Sequence, residues 1–166
     1  MRRHWFFTGL LLLASLTARA GELKIQDVFK QMPHTVLPTL SENNRLDMLD
    51  FMASQMKAEV TNRLGGKSEM TVLTDTTLII RMSEALQVEM LLLKPEDAAD
   101  ADSRIICLIE TFGRDSLSLD SQVSFYTISW DRLNNPPKLS VLDKNTISLK
   151  KVQTILKRDD EILKKN

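Results

Sequence analysis

The chain has 166 residues, of which 43% are hydrophobic and 27% are charged, and its 22 lysines and arginines balance its 22 aspartates and glutamates. This length suits one domain, and the apolar content excludes a disordered chain. The balanced charge gives no excess of Lys and Arg for phosphate contacts, so we expect no nucleic-acid partner. A single cysteine excludes an internal disulfide and a cysteine-based zinc site.

The first 20 residues have the features of a secretory signal peptide. Two arginines follow the initial methionine, an apolar run occupies residues 5–16, and Ala18 and Ala20 are the small residues that precede a cleavage point. The run is shorter than the roughly 20 residues of a membrane-spanning helix. We therefore expect cleavage after Ala20 and a soluble mature chain in the periplasm or outside the cell, without a transmembrane segment.

The mature chain begins with two predicted helices. The first has apolar residues at i, i+3, i+4 and i+7 and ends at Pro33. These apolar residues are Ile25, Val28, Phe29 and Met32. The second is predicted over residues 41–64, from an N-cap at Ser41 to the glycine pair that begins at Gly65. Its apolar residues recur with helical spacing, and we expect that side to lie on a β-sheet.

After the glycine pair, the pattern changes to short strands separated by turns. Five strands are predicted, at residues 70–73, 78–82, 86–93, 104–112 and 122–130. The short polar connections favour an antiparallel meander, because parallel pairing needs crossovers of a dozen or more residues. Asparagines and prolines at 134–137 break the pattern, and apolar residues from position 148 predict a C-terminal helix.

This order of elements predicts a single α+β domain over residues 21–166. We expect N-terminal helices packed on a curled antiparallel sheet of four to five strands, with a C-terminal helix completing the fold. For the charged tail at 158–166, order and disorder are both open.

The motif Gly65-Gly66-Lys67-Ser68 resembles the end of a phosphate-binding loop. The full pattern needs a glycine five positions before Gly66, where Thr61 stands, and a loop that follows a strand and opens a helix. We interpret the glycines as the end of the preceding helix, which excludes nucleotide hydrolysis by this motif.

Nucleophilic catalysis has few candidate residues. A triad with Ser68, Ser118 or Cys107 would have to use His34, the one histidine of the mature chain. His34 lies beside a proline, and a solvated loop histidine is the favoured interpretation. Cys107 has apolar neighbours on both sides, which indicates a buried and inert thiol.

Asp47 and Asp50 are the best indication of an enzyme. They are three residues apart on the second predicted helix and so share a face, and a pair of carboxylates is what a glycosidase needs. Acidic residues in the first turns of a helix also stabilise its dipole, and this interpretation is favoured. A small hydrolase acting on glycan or peptide through these two residues is the alternative.

The sequence contains two weak metal-binding patterns. Met48, Met52 and Met56 recur every four residues, and thioethers bind monovalent copper, but the same spacing fits a buried stripe, which is favoured. An acidic loop at 96–102 lacks the glycine and glutamate that an EF-hand starting at Asp100 needs, although a weak surface calcium site stays open. No metal and no other cofactor is predicted.

Tyr126, Ile128 and Trp130 alternate along the last predicted strand and so share one face. On an open face these aromatic rings could stack on a sugar or a peptide, whereas packing against a helix is favoured. Tyr126 and Trp130 are kept as the candidate binding residues.

Several segments resemble a known family. They are LSENNRLDMLDFM at 40–52, MKAEVTN at 56–62, LGGKSEM at 64–70 and VSFYTISW at 123–130. They are similar to a secreted family of Gram-negative anaerobes known as domain of unknown function 3256. The resemblance implies an exported protein with a helical N-terminal half and a β-rich C-terminal half. It implies no catalytic role for any residue.

Together these patterns favour a non-enzymatic envelope protein. Export, a domain-sized chain and the lack of a strong catalytic motif are the grounds for this hypothesis. The expected partner is an unidentified envelope protein or ligand, bound through the sheet or its loops. Metal handling through the methionines is a further alternative.

Overall fold

The computed structural model describes residues 22–96, 103–113, 120–135, 137–139 and 146–164. In these ranges the helices are α1 (Ile25–Lys30), α2 (Glu42–Ala53) and α3 (Thr146–Leu163). The strands are β1 (Ala58–Thr61), β2 (Lys67–Leu73), β3 (Thr77–Arg81), β4 (Leu86–Leu93), β5 (Ile105–Phe112), β6 (Asp120–Thr127) and β7 (Arg132–Leu133). The expected signal peptide, Ser118 and most of the acidic loop at 96–102 lie outside the described residues.

The strands form one sheet in chain order, β1-β2-β3-β4-β5-β6-β7, and each pairs with the next in antiparallel fashion. The predicted α+β class, antiparallel meander and C-terminal helix are therefore confirmed. The predicted number of four to five strands is wrong, because the sheet has seven. The additional strands are β1, which lies inside the second predicted helix, and β7, whose two residues are too few to form a pattern.

Side chains of β4 show that the sheet is buried on both faces. Val88, Met90 and Leu92 belong to a core cluster with residues of α1 and α2. Leu91 and Leu93 belong to a second cluster, which includes residues of α3. Successive side chains of a strand point to opposite faces. The sheet thus has an N-terminal face, covered by α1 and α2, and a C-terminal face, covered by α3.

The apolar residues of the first predicted helix are almost fully enclosed, although α1 ends at Lys30 and so before Met32; they are Ile25, Val28, Phe29 and Met32. Arg45 of α2 forms hydrogen bonds to the segment that follows α1. Its Nη2 donates to the carbonyl oxygen of Met32 at 2.8 Å and its Nη1 to that of Leu40 at 3.4 Å. The side chain is 4% exposed, and this burial lowers the pKa of Arg45 from its ordinary value.

The predicted N-cap of α2 is confirmed. The Ser41 hydroxyl oxygen accepts from the Asn44 backbone N–H at 3.0 Å, and the Asn44 side-chain oxygen accepts from the Ser41 N–H at 3.1 Å. This reciprocal arrangement is a capping box. It satisfies two backbone donors that would otherwise lack partners at the start of the helix.

The predicted continuation of this helix to residue 64 is wrong, because α2 ends at Ala53. Gln55 has a left-handed backbone, with φ of 56°, and its N–H donates to the Met52 carbonyl at 3.1 Å. The Met56 N–H donates to the Phe51 carbonyl at 2.8 Å, which completes a Schellman motif. Glycine usually occupies this position, so a glutamine there gives no sequence signal for the helix end.

The glycines at 65 and 66 form the β1–β2 hairpin and do not cap a helix. The Gly65 N–H donates to the Asn62 carbonyl at 2.9 Å, and Gly65 has φ of 80°. This geometry matches a three-residue hairpin loop with a left-handed last residue. The Asn62 side chain accepts from Leu64 and Gly66 N–H groups and donates to the Ser68 hydroxyl at 2.9 Å.

Helix α3 lies on the C-terminal face through Val152 and Ile155, both buried in the second cluster. It extends to Leu163, so the first part of the charged segment at 158–166 is helical. No helix in the described ranges is long and apolar enough to cross a membrane.

Candidate binding site at the β6 edge

The last two strands leave part of the sheet edge open. The Thr127 N–H donates to the Asp131 carbonyl at 2.9 Å, so alternate residues of β6 direct their backbone groups toward β7. Phe125 opposes Leu133, and beyond it Val123 is the next residue of β6 whose backbone groups face this side. Asn134 and Asn135, which follow β7, lie in a bend, and no described strand pairs with Val123 on that side.

A pocket of about 340 Å³ lies where β7 ends beside β6, and we name it the edge pocket. Its lining residues are Val123, Ser124, Phe125, Arg132, Leu133, Asn134 and Leu156. The apolar members come from the C-terminal face and from α3, and they include a buried phenylalanine. The polar members are a hydroxyl, a guanidinium and an amide. Such a mixture of an apolar floor with a few polar groups is typical of a ligand site.

The polar side of the edge pocket is built from Ser124 and Arg132. Ser124 is 6% exposed, and its hydroxyl oxygen accepts from Arg132 Nη2 at 3.4 Å. Arg132 is exposed, and none of the ion pairs formed in the described ranges involves it. Among the residues that the structure describes, this cation therefore stands beside a buried hydroxyl without a carboxylate in ion-pair contact.

Arg158 of α3 covers the far end of this edge. Its Nη2 donates to the Ser121 carbonyl at 2.7 Å, and its Nη1 donates to Asp120 Oδ1 at 2.8 Å. Hydrogen bonds to Asp159 and to Asp120 raise the pKa of Arg158 from its ordinary value. Ser121 and Val123 face the same side of β6, so the guanidinium shortens the open edge.

The opposite edge of the sheet is covered along β1. The Asn44 side chain of α2 donates to the Thr61 carbonyl at 3.1 Å, and the Arg63 N–H donates to the Thr39 carbonyl at 2.9 Å. The Thr61 carbonyl and the Arg63 N–H both face away from β2, on the outer side of β1 and of the residues that follow it. In the described part of the sheet, the side with β7 therefore offers backbone groups to a partner, where β6 extends beyond the end of β7.

A second pocket, of about 250 Å³, lies on the C-terminal face near Arg81, Gln87, Thr111 and Lys151. Lys151 Nζ donates to the Thr111 hydroxyl at 3.1 Å and lies 3.8 Å from Glu89. Arg81 is paired with Glu69. Both cations already have carboxylate partners, so this pocket has less to offer a charged ligand than the edge pocket.

The candidate carboxylates Asp47 and Asp50 are both exposed on α2. Neither lines the edge pocket or the second pocket. The structure therefore does not bring this pair together with either of these cavities.

The three methionines do not form one stripe. Met48 is fully buried in the core, Met52 packs partly against it, and Met56 follows the end of α2 and is 58% exposed. Their period of four does not describe a helix face, because the helix ends before Met56. In the described ranges, no group of three or more His, Cys, Asp or Glu side chains could hold a metal ion.

The candidate binding residues Tyr126 and Trp130 lie under the N-terminal helices. Trp130 is 7% exposed, its indole N–H donates to the Val28 carbonyl, and its ring centroid is 5.5 Å from that of Tyr126. Tyr126 packs partly against the same core. The strand predicted to reach Trp130 ends at Thr127, so the predicted alternation of Tyr126, Ile128 and Trp130 along one strand stops there.

The candidate nucleophiles Ser68 and Cys107 are buried, whereas the candidate base His34 is exposed. His34 is exposed in the loop after α1, whereas Ser68 is buried and its hydroxyl donates to the Met82 carbonyl at 2.8 Å. Cys107 is buried in β5, and this burial, with a contribution from Glu89, raises the pKa of its thiol. A raised pKa keeps the thiol protonated, which is the opposite of what a catalytic nucleophile needs.

The residues of the edge pocket were missed by sequence reasoning. Ser124, Arg132 and Asn134 carry no motif, and their proximity depends on the register of β6 and β7. The one signal was the run of asparagines and prolines at 134–137, which marks where the last strand must end.

A family model described as "Protein of unknown function (DUF3256)" matches residues 16–160. The chain belongs to this family. The suspected resemblance to DUF3256 is thereby confirmed, and the family description assigns no activity to its members.

Among solved structures, the chain is similar to one described as "Structure of a domain of an uncharacterized protein from Porphyromonas gingivalis W83". The TM-score is 0.52 and the identity 21%, over 75% of this chain and 67% of that chain. At this identity the likeness concerns the fold alone. None of the curated proteins matches the chain.

Proposed function

We propose that this DUF3256 protein is an exported, non-enzymatic binding protein that holds an extended segment of another protein at the β6 edge. The observation that carries the proposal is the outward-facing backbone of Val123 beside a pocket of about 340 Å³. A peptide that adds a strand to an open edge gains backbone hydrogen bonds there, while pockets select its alternate side chains.

The edge pocket suits strand addition because it reaches both faces of β6. Val123, Phe125 and Leu156 provide an apolar surface on the C-terminal face. Ser124 and Arg132 provide polar groups around the other side of the same strand. An added strand would place successive side chains alternately against these two surfaces.

Export rests on the N-terminal sequence. The basic start, the short apolar run and the small residues before Gly21 support cleavage and a location in the cell envelope or beyond. Mass spectrometry of the protein recovered from its native cells tests this part separately. A mature N-terminus at Gly21 is expected, and an intact Met1 on the recovered protein would contradict export.

The binding proposal is tested by selecting ligands from a phage-displayed library of random peptides with the purified protein. The key variant is Val123→Pro, which removes the outward N–H; proline is tolerated on an edge strand when that N–H faces solvent. We expect selected peptides to bind this variant at least about tenfold more weakly, a loss of about 1.4 kcal/mol. The matched control Val123→Ala keeps the N–H and should retain most of the affinity.

The peptides provide a second arm that leaves the protein unchanged. N-methylation of alternate backbone amides should abolish binding in one register and spare it in the other, because successive residues of a strand face opposite neighbours. Failure to select any peptide, or equal binding by Val123→Pro and the unaltered protein, would contradict the proposal.

A further inference from the structure

We infer that the segment held at the β6 edge carries an aspartate or glutamate side chain near Ser124, on the face where Arg132 binds its carboxylate. This inference rests on the proposed function and deepens it by naming the chemistry of the partner.

The register places Ser124 and Arg132 on the same face of the sheet. Ser124 opposes Leu108 of β5, and Leu108 is part of the core on the N-terminal face. Arg132 opposes Tyr126, which packs against that same core. Arg132 Nη2 reaches along the strand to the Ser124 hydroxyl. The position opposite Ser124 in this register is that of Asn134, which lies in a bend, so a segment held beyond β7 would present its nearest side chain on this face to the guanidinium.

The electrostatics of this corner favour an anionic side chain. The neighbouring acid, Asp131, is engaged with Thr127, whose hydroxyl lies 3.4 Å from its Oδ2. Arg132 is in none of the ion pairs formed in the described ranges. An unpaired guanidinium binds a carboxylate through two parallel hydrogen bonds, with a geometry that an ammonium group cannot reproduce.

Ser124 and Asn134 complete the donor set. The Ser124 hydroxyl is buried, and its contact with Arg132 uses it as an acceptor, which leaves its own hydrogen for a ligand. The Asn134 side chain lines the same pocket. A carboxylate has the lone pairs to accept from the guanidinium, the hydroxyl and the amide together, whereas a cationic ligand has none.

The flanking residues of the segment meet a different surface. A residue opposite Val123 points to the C-terminal face, where Val123, Leu133 and Leu156 line the pocket. Arg158, at the end of the edge, is already paired with Asp120 and Asp159, so Arg132 and not Arg158 is the residue that binds the carboxylate of the segment. The preferred segment is therefore an extended run in which an acidic residue stands next to an apolar one.

The test uses peptides selected as above and resynthesised with acetylated and amidated ends, so that no chain-terminal charge is present. Replacing the acidic residue by its amide (Glu to Gln, or Asp to Asn) should weaken binding by about tenfold or more. On the protein side, Arg132→Gln should remove this difference, and Arg132→Lys should restore part of it. Arg63→Gln, in the β1–β2 hairpin, is the matched control and should change nothing.

The outcomes separate this inference from the proposed function. If peptides still require Val123 but bind equally with the acid or its amide, the edge site stands and the carboxylate inference is overturned. The same holds if only peptides with a free C-terminal carboxylate bind. If Arg132→Gln lowers the melting temperature, the acid-to-amide peptides decide, because they leave the protein unaltered. Self-association through this edge, seen by sedimentation, would replace the peptide by a second copy and overturn the inference.

Discussion

The indole Nε1 of Trp130 donates a hydrogen bond to the carbonyl oxygen of Val28 at 3.1 Å, which joins residues 102 positions apart. Trp130 has φ of 70°, a left-handed conformation that a bulky residue rarely adopts. It holds the same place in its hairpin loop as Gly65 does in the β1–β2 loop. The buried ring and its hydrogen bond offset a backbone cost of roughly 1–3 kcal/mol.

Replacing Trp130 tests how much its hydrogen bond to Val28 stabilises the fold. Trp130→Phe keeps a ring but leaves the Val28 carbonyl without its donor, so the free energy of unfolding should fall by about 1–3 kcal/mol. Urea unfolding followed by circular dichroism measures the change. Tyr126→Phe is the control, since Tyr126 is only partly buried, and it should cost less than about 0.5 kcal/mol. Equal effects of the two changes would contradict the structural role of the Trp130–Val28 bond.

Gln55→Gly should stabilise the protein. Gln55 adopts the left-handed position after α2, where glycine avoids a steric cost of roughly 1–2 kcal/mol, and the greater backbone freedom of glycine in the unfolded state offsets part of that gain. A rise in the melting temperature of a few degrees is expected for a domain of this size. Ser54→Gly is the matched control, because Ser54 has φ of −86° and gains no relief from glycine. A loss of stability in Gln55→Gly comparable to that in Ser54→Gly would show that the helix does not end here.

The end of α2 shows where sequence reasoning about the fold succeeds and fails. Apolar spacing identified α1 and strands β2 to β6, and the residue types at Ser41 and Glu42 identified the N-cap, because each is a local pattern. It failed after Ala53, since Val60 continues the helical spacing of Ala53 and Met56 and also alternates with Ala58 as in a strand. Gln55 ends the helix with a left-handed backbone, but glutamine is not a residue type that marks a helix end in a sequence.

The Cys107 thiol should be inert in the folded protein. It is buried between apolar neighbours, so alkylation by iodoacetamide at pH 8 should be at least about a hundredfold slower than in urea. Mass spectrometry follows the modification, and because the chain has one cysteine the signal has a single source. Rapid alkylation of the folded protein would mean that β5 is accessible to solvent.

The same burial predicts a dependence of stability on pH. The unfolded thiol ionises near its ordinary pKa of 9.0, whereas burial raises the pKa of the folded thiol. Above pH 9 the unfolded state therefore loses a proton that the folded state keeps, and the free energy of unfolding falls as the pH rises. Cys107→Ala should lack this contribution, so the difference between the two proteins isolates it.

Arg158→Ala should increase self-association. The substitution uncovers the Ser121 carbonyl and lengthens the open edge of β6, and unprotected edges pair with other chains. Sedimentation velocity over a range of concentrations measures the change. Lys157→Ala removes the same charge from an exposed neighbour and should leave the association state unaltered. Similar behaviour of the two variants would indicate that charge, and not coverage of the edge, controls association.

The candidate site was less predictable than the fold. Asp47, Asp50 and Trp130 drew attention as residue types with known chemistry, yet their exposure or burial is a property of tertiary packing. Arg132 and Ser124 lie together because a two-residue strand ends beside β6, and a pairing register is not visible in a single sequence.

Amide hydrogen exchange at Val123, measured by NMR, is the most direct test of the open edge. The backbone N–H groups of Gln122 and Ser124 face β5, so they should exchange slowly in the free protein, whereas that of Val123 should exchange fast. Addition of a selected peptide should slow exchange at Val123 by about tenfold or more. Slow exchange at Val123 in the free protein, or fast exchange that persists with saturating peptide, would contradict strand addition at this edge.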